Sequence, residues 1–189
     1  PVGFPTSVVT ERGLRVPVRY RLVEADDVIT SHDNDLRVNP AYPPEMQPRD
    51  RTRASSEDQV ARIANGVVPE LLADSPKASD GAPIIGPDGL VESGNGRTIG
   101  LRRAYGMGKA EEYRAWLAEN AQRFGLTPEQ VAATKRPMLV RERTVDVDRV
   151  DFARQANDPA VAAMSDAEQA AVDARYLPDL ELLHANDDG

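Results

Sequence analysis

One stretch limits the fold more than any other: Leu90-Val91-Glu92-Ser93-Gly94-Asn95-Gly96-Arg97-Thr98-Ile99-Gly100-Leu101-Arg102-Arg103-Ala104-Tyr105. It reads as a strand, a glycine turn and a helix. Gly94 and Gly96 reach backbone angles closed to other residues, so consecutive N–H groups can come close to an anion. The first turn of the helix adds unpartnered N–H groups and the positive end of the helix dipole, and Arg97 supplies a guanidinium fork. An oxyanion suits such a turn. The plainer reading is that a tight strand-to-helix connection needs glycine for geometry, with Arg97 pairing locally. On the turn alone the two readings stand level. The Lys-Ser/Thr of a P-loop is missing, and Gly94-x-Gly96-x-x-x-Gly100 matches a dinucleotide fingerprint only if a parallel βαβ unit surrounds it.

The rest of the chain supports one domain with a proper core, or one domain and a small appendage, at 189 residues. Cysteine is absent, which removes disulfides, zinc-thiolate sites and thiol nucleophiles, and makes the cytoplasm the expected compartment. No apolar run is long enough to span a bilayer, so no membrane is expected as a partner. The chain starts at Pro1 without Met, and other domains of a larger polypeptide are expected around it. A net charge of −8 repels nucleic acid on average. Contact with DNA would therefore come from a local basic patch.

Residues 1–15 read as an extended arm. Val16, Val18, Tyr20 and Leu22 alternate with polar residues, the period of a half-buried strand. His32, Asp33 and Asp35 follow, close enough to share a metal or an acid/base role, although Ser31-His32-Asp33-Asn34-Asp35 is equally turn chemistry. Arg49, Arg51 and Arg53 alternate in a proline-rich loop and would make a small basic edge if extended. A helix with the stripe Val60, Ile63, Ala64 and Val67 comes next, ended by Asn65-Gly66. Ala82–Ile85 and Leu90–Val91, separated by Gly86-Pro87-Asp88-Gly89, give a hairpin signal. Lys109–Phe124 reads as an amphipathic helix, Thr127 as the cap of a short one, and 137–145 as a strand. Helical stretches then span 147–156 and 165–176, the second with the capping box Ser165/Glu168. The expected fold is α+β: a small mixed sheet of about four strands with surrounding helices. Its core covers 16–145, a helical C-terminal part 146–185, and a tail 186–189.

Taken in order, these pieces resemble the ParB/sulfiredoxin-like superfamily, and within it the DdrB-like ParB domains of phages and mobile elements. Asn39-Pro40 and Gln47-Pro48-Arg49 resemble the first ParB box, and Pro83-Ile84-Ile85 resembles the strand before the central box. Gly94-Asn95-Gly96-Arg97 stands where that family has Gly-Glu-Arg-Arg, and Arg154-Gln155-Ala156-Asn157 resembles a weakened third box. The resemblance implies a nucleoside triphosphate with Mg2+, held by Gly94, Asn95, Gly96, Arg97 and Thr98, with Arg49, Arg51 and Asn157 closing on the phosphates. On that reading Glu92 holds the metal and His32 and Asp33 act as acid or base, in phosphoryl or phosphodiester chemistry of an NTPase or nuclease linked to DNA handling. Sulfiredoxin chemistry requires a cysteine and is excluded. Asn95 and Gly96 replace a Glu and an Arg of the central box, and the third box lacks its carboxylate. A non-catalytic module that binds DNA or protein is therefore the alternative, and a dinucleotide oxidoreductase a third class.

Overall fold

The computed structural model describes residues 1–46 and 53–157, with side chains from 56 onward in the second stretch. Strand β1 (Val2–Val9) and strand β2 (Arg15–Glu24) form an antiparallel ribbon. The turn between them closes through Thr10 N to Leu14 O, with Gly13 at φ +85°. The segment expected as an arm is thus paired in register with β2. Gly3 and Pro5 hide the strand period there, and the sheet tolerates them because the strand is an edge and bulges between Val2 and Pro5.

β2 buries Val16, Val18, Tyr20 and Leu22 on one face and turns Arg15 and Pro17 to solvent, as its alternation requires. It ends at Glu24 in a 3-10 turn, Ala25–Asp27. Strand β3 (Ile84–Ile85) and strand β4 (Val91–Ser93) form the expected hairpin. Strand β5 (Pro137–Arg143) lies between β2, to which it is antiparallel, and β3, to which it is parallel. The order β1-β2-β5-β3-β4 makes a five-stranded mixed sheet in an α+β fold. Because β5 is central, all seven of its residues are buried, including Arg141, Glu142 and Arg143. Three charged side chains in mid-sheet must find partners there.

Helix α1 (Arg53–Asn65) packs on helix α2 (Asn95–Gly106). Gly100 permits the approach, since a Cβ at 100 would lie 2.7 Å from Cβ and Cγ2 of Ile63. Helix α3 (Glu111–Asn120) runs into a 3-10 turn, Ala121–Phe124, stopped by Gly125 at φ +78°. Helix α4 (Pro128–Ala133) begins with a capping box: Gln130 N donates to Thr127 Oγ1 and Thr127 N to Gln130 Oε1. Tyr113, Leu117, Phe124 and Val131 from this region join Leu101, Ala104, Tyr20, Leu22 and Leu139 in the main core. Helix α5 (Arg149–Ala156) sets Phe152 and Ala156 against Val8, Val16, Val18 and Ile84, a second cluster. The expected helix around 165–176 and the tail lie outside the described residues. Among the described residues no helix is long and apolar enough to cross a membrane.

Candidate functional site

β4 delivers the chain into Gly94, which sits at φ +98°, ψ 30° as the cap of α2. A Cβ at 94 would lie 2.9 Å from Arg97 Nη2 and 3.0 Å from Pro83 Cβ, so conformation and space both demand glycine. Buried Thr98 closes the first turn. Its N–H and hydroxyl both donate to Gly94 O, at 2.9 and 2.8 Å. The backbone N–H groups of Asn95, Gly96 and Arg97 precede that first bond and lie at the positive end of the helix. α1 leans over this end: a Cβ at Gly96 would sit 2.8 Å from Gln59 Oε1.

Two neighbouring segments are drawn to the turn by buried amides. Asn95 Oδ1 accepts from Ser31 N at 2.8 Å, and Ser31 Oγ lies 2.9 Å from His32 Nδ1, so the His32 segment is fastened to the first residue of α2. Tyr42 Oη donates to Val91 O at 2.6 Å, beside Asn95 Nδ2; burial pushes its phenol pKa up. From the other side, Asn157 Nδ2 donates to Glu92 O and Ala153 O, both at 2.6 Å. Both amides are therefore engaged in holding protein to protein.

Asp33 is exposed, and its Oδ1 accepts from Asp35 N and Arg37 N at 2.8 and 2.9 Å. The bond from Arg37 N is the main reason its pKa is lowered. It is an Asx-type turn former that stays ionised, which fits turn chemistry better than a general acid. The loop behind it is fixed by buried Arg102, whose Nε donates to Ala25 O, Nη1 to Thr30 Oγ1 and Nη2 to Val28 O. Asp26, Asp27, Asp33 and Asp35 line an open groove over Arg102. Its carboxylates oppose a phosphate.

Glu92, expected to hold a metal, is fully buried and engaged by two guanidiniums. Arg143 Nε and Nη2 bond Oε1 and Oε2, each at 2.9 Å, and Arg149 Nε bonds Oε2 at 2.8 Å. Arg149 also pairs with Asp88, whose hydrogen bond is the main cause of its raised pKa. Gly86 makes room, since a Cβ there would lie 2.2 Å from Arg149 Nη2. Among the described residues no group of three or more His, Asp or Glu gathers to hold a cation. Of the described acids, Glu92 in particular already has both carboxylate oxygens engaged by arginines.

Behind the turn, two guanidiniums converge. Arg97 Nη1 donates to Ser79 O at 2.7 Å. Arg141, with no exposed surface, gives Nε to Ala82 O, Nη1 to Ser75 O and Lys77 O, and Nη2 to Asp80 O. These partners are all main-chain carbonyls, so no carboxylate among the described residues is bonded to its charge. Burial first, and the like charge of Arg97 second, lower its pKa to about 10. The charges of Asp80 and Asp74 act on it in the opposite direction without bonding it.

The structure thus gathers Glu92, Gly94, Asn95, Gly96, Arg97, Thr98 and Asn157 around one strand-to-helix junction, with the His32 segment tied to it. Arg49 and Arg51 lie outside the described residues. Tyr42, Arg141, Arg143 and Arg149 belong to the junction and were not anticipated. The one available signal was the run Arg141-Glu142-Arg143 inside an otherwise apolar strand, where charge implies buried partners. A family model for the ddrB-like ParB superfamily domain matches residues 11–144, from the turn after β1 through β5 and including the whole junction except Asn157 and Arg149. No curated protein and no solved structure matches the chain.

Proposed function

The chain belongs to the ddrB-like ParB superfamily, and from that premise we propose that it binds the phosphates of a nucleotide at the N-terminus of α2. The observation that carries this reading is the pair Arg97 and Arg141 behind a left-handed glycine cap. Among the described residues Arg141 is a buried cation hydrogen-bonded only to carbonyls, and an oxyanion at the N–H groups of the α2 terminus would add negative charge on its side of the turn. Gly94 and Gly96 let Arg97 and Gln59 close on the turn, and Thr98 holds it shut from within.

The protein's own part is to bind and orient phosphate. Bound magnesium would neutralise phosphate charge in phosphoryl or phosphodiester transfer, and it would have to be held chiefly by the phosphates themselves, because Glu92 is taken. DNA handling in a phage or mobile element is the setting that the resemblance implies. One specific observation favours a second reading, a binding module without turnover: the carboxylate nearest the junction is neutralised by Arg143 and Arg149. The test is calorimetric titration of each nucleoside triphosphate, with magnesium, into the chain and into a folded Arg97→Ala variant. Saturable binding by the native chain that the variant loses supports the cradle. No binding by any of the four refutes it and leaves the module as the account.

A further inference from the structure

The solvent face of the β1–β2 ribbon carries a row of arginines that the nucleotide reading does not use. Arg15, Arg19 and Arg21 alternate along β2, so their side chains leave the same face, about 7 Å apart between the last two. The register places Val9, Pro5 and Val2 of β1 beside them, and no acidic residue of β1 is on this face. Among the described residues the only carboxylate in the row is Glu142 of β5, opposite Arg19. It is nearly buried and takes Arg19 on Oε1 and Arg21 on Oε2, both at 2.7 Å. Three guanidiniums against one carboxylate leave the row at a net +2 in a chain of net −8.

Glu142 does more than neutralise. By taking one edge of each guanidinium from beneath, it holds both groups upright, with side chains of Arg19 and Arg21 still 44 and 37% exposed. Each keeps N–H groups that no described residue engages. Arg15 is steadied in the same way by Ser7, whose Oγ accepts from Nη1 at 3.2 Å. Ordered guanidiniums lose less entropy on meeting phosphates than floppy ones.

We propose that this face is a docking surface for the phosphate backbone of duplex DNA, contacted without base readout. Charge complementarity selects a polyanion. Among the described residues the row lacks any aromatic ring, and Phe4 packs against Gly125, so they offer no platform on which single-stranded bases stack. The arrangement is independent of the α2 junction, which shares none of these residues.

The test is fluorescence anisotropy of a labelled 20-base-pair duplex titrated with the full chain at several salt concentrations. Compared with it are the variant Arg15→Gln/Arg19→Gln/Arg21→Gln and a control that removes equal charge elsewhere, Arg62→Gln/Lys109→Gln/Lys135→Gln, each checked for folding by circular dichroism. The expected result is that the first variant binds at least about tenfold more weakly at low salt, with a log–log salt slope shallower by about two, while the control and Arg97→Ala bind nearly as the native chain does. No duplex binding by the native chain, equal losses in both triple variants, loss in Arg97→Ala, or preference for a single strand would each overturn the proposal.

Discussion

Replacing Glu92 by Gln separates an ion-pair anchor from a metal ligand. The amide keeps the shape of the side chain but loses its charge, and its NH2 must face one of the guanidinium N–H groups. Three contacts of 2.8–2.9 Å from Arg143 and Arg149 are at stake, around a carboxylate with no exposed surface. Arg143 has only 7% of its side chain exposed and cannot move its charge into water. Arg149 is more exposed and retains Asp88, so most of the penalty falls on Arg143. Removing one partner of a buried pair costs about 3–5 kcal/mol. With a urea m-value of about 2 kcal/mol/M, the midpoint should fall by about 1.5–2.5 M. The assay is equilibrium urea unfolding followed by circular dichroism, without added metal. A double-mutant cycle with Arg149→Gln should give a coupling of about 0.5–3 kcal/mol. A midpoint shift under about 0.5 M at unchanged m-value would refute the reasoning, because a carboxylate whose removal is that cheap does not anchor two arginines.

Asp88 gives a pH test. Its pKa is lowered, first by Arg149, so its contribution is full above the unfolded value of about 3.9 and is lost as pH falls through the folded pKa. The Asp88→Asn variant should be less stable than the native chain at neutral pH by about 0.2–1 kcal/mol, a surface-pair magnitude, and the gap should close on acidification; a gap that widens below pH about 4 would contradict the sign. Gly100→Ala sets packing against propensity. Helix propensity alone favours Ala by about 1 kcal/mol, while a Cβ 2.7 Å from Ile63 Cβ forces α1 and α2 apart at about 1–3 kcal/mol. Thermal unfolding should show a lower midpoint, and a raised one would mean that the helices separate at little cost.

The strand-to-helix junction was legible because its signals are local. Glycines at 94 and 96, an apolar pair before them and a helical stripe after them need only neighbouring residues to act. The same holds for the 82–93 hairpin, the Thr127 cap and the Gly125 stop. β1 was not read as a strand because Gly3 and Pro5 erase its period, and its identity rests on pairing with β2. Asp33 was offered as a catalytic group, and the fold adds that its Oδ1 accepts from the N–H groups of Asp35 and Arg37. Glu92 was offered as a metal ligand on the nucleotide-binding reading. Only the fold shows that residues 51 and 57 positions further along bring two guanidiniums to it.

By itself, then, the amino-acid sequence determined the elements whose causes are short-range: the periods, caps and glycine conformations that make an α+β chain and place a positive helix end after β4. Tertiary structure alone decided which charges meet. Burial makes an ion choose a partner at whatever separation the fold supplies, because an unpaired charge away from water costs several kcal/mol. Placing β5 at the centre of the sheet therefore sent Arg141 to loop carbonyls, Arg143 to Glu92 and Glu142 to Arg19 and Arg21.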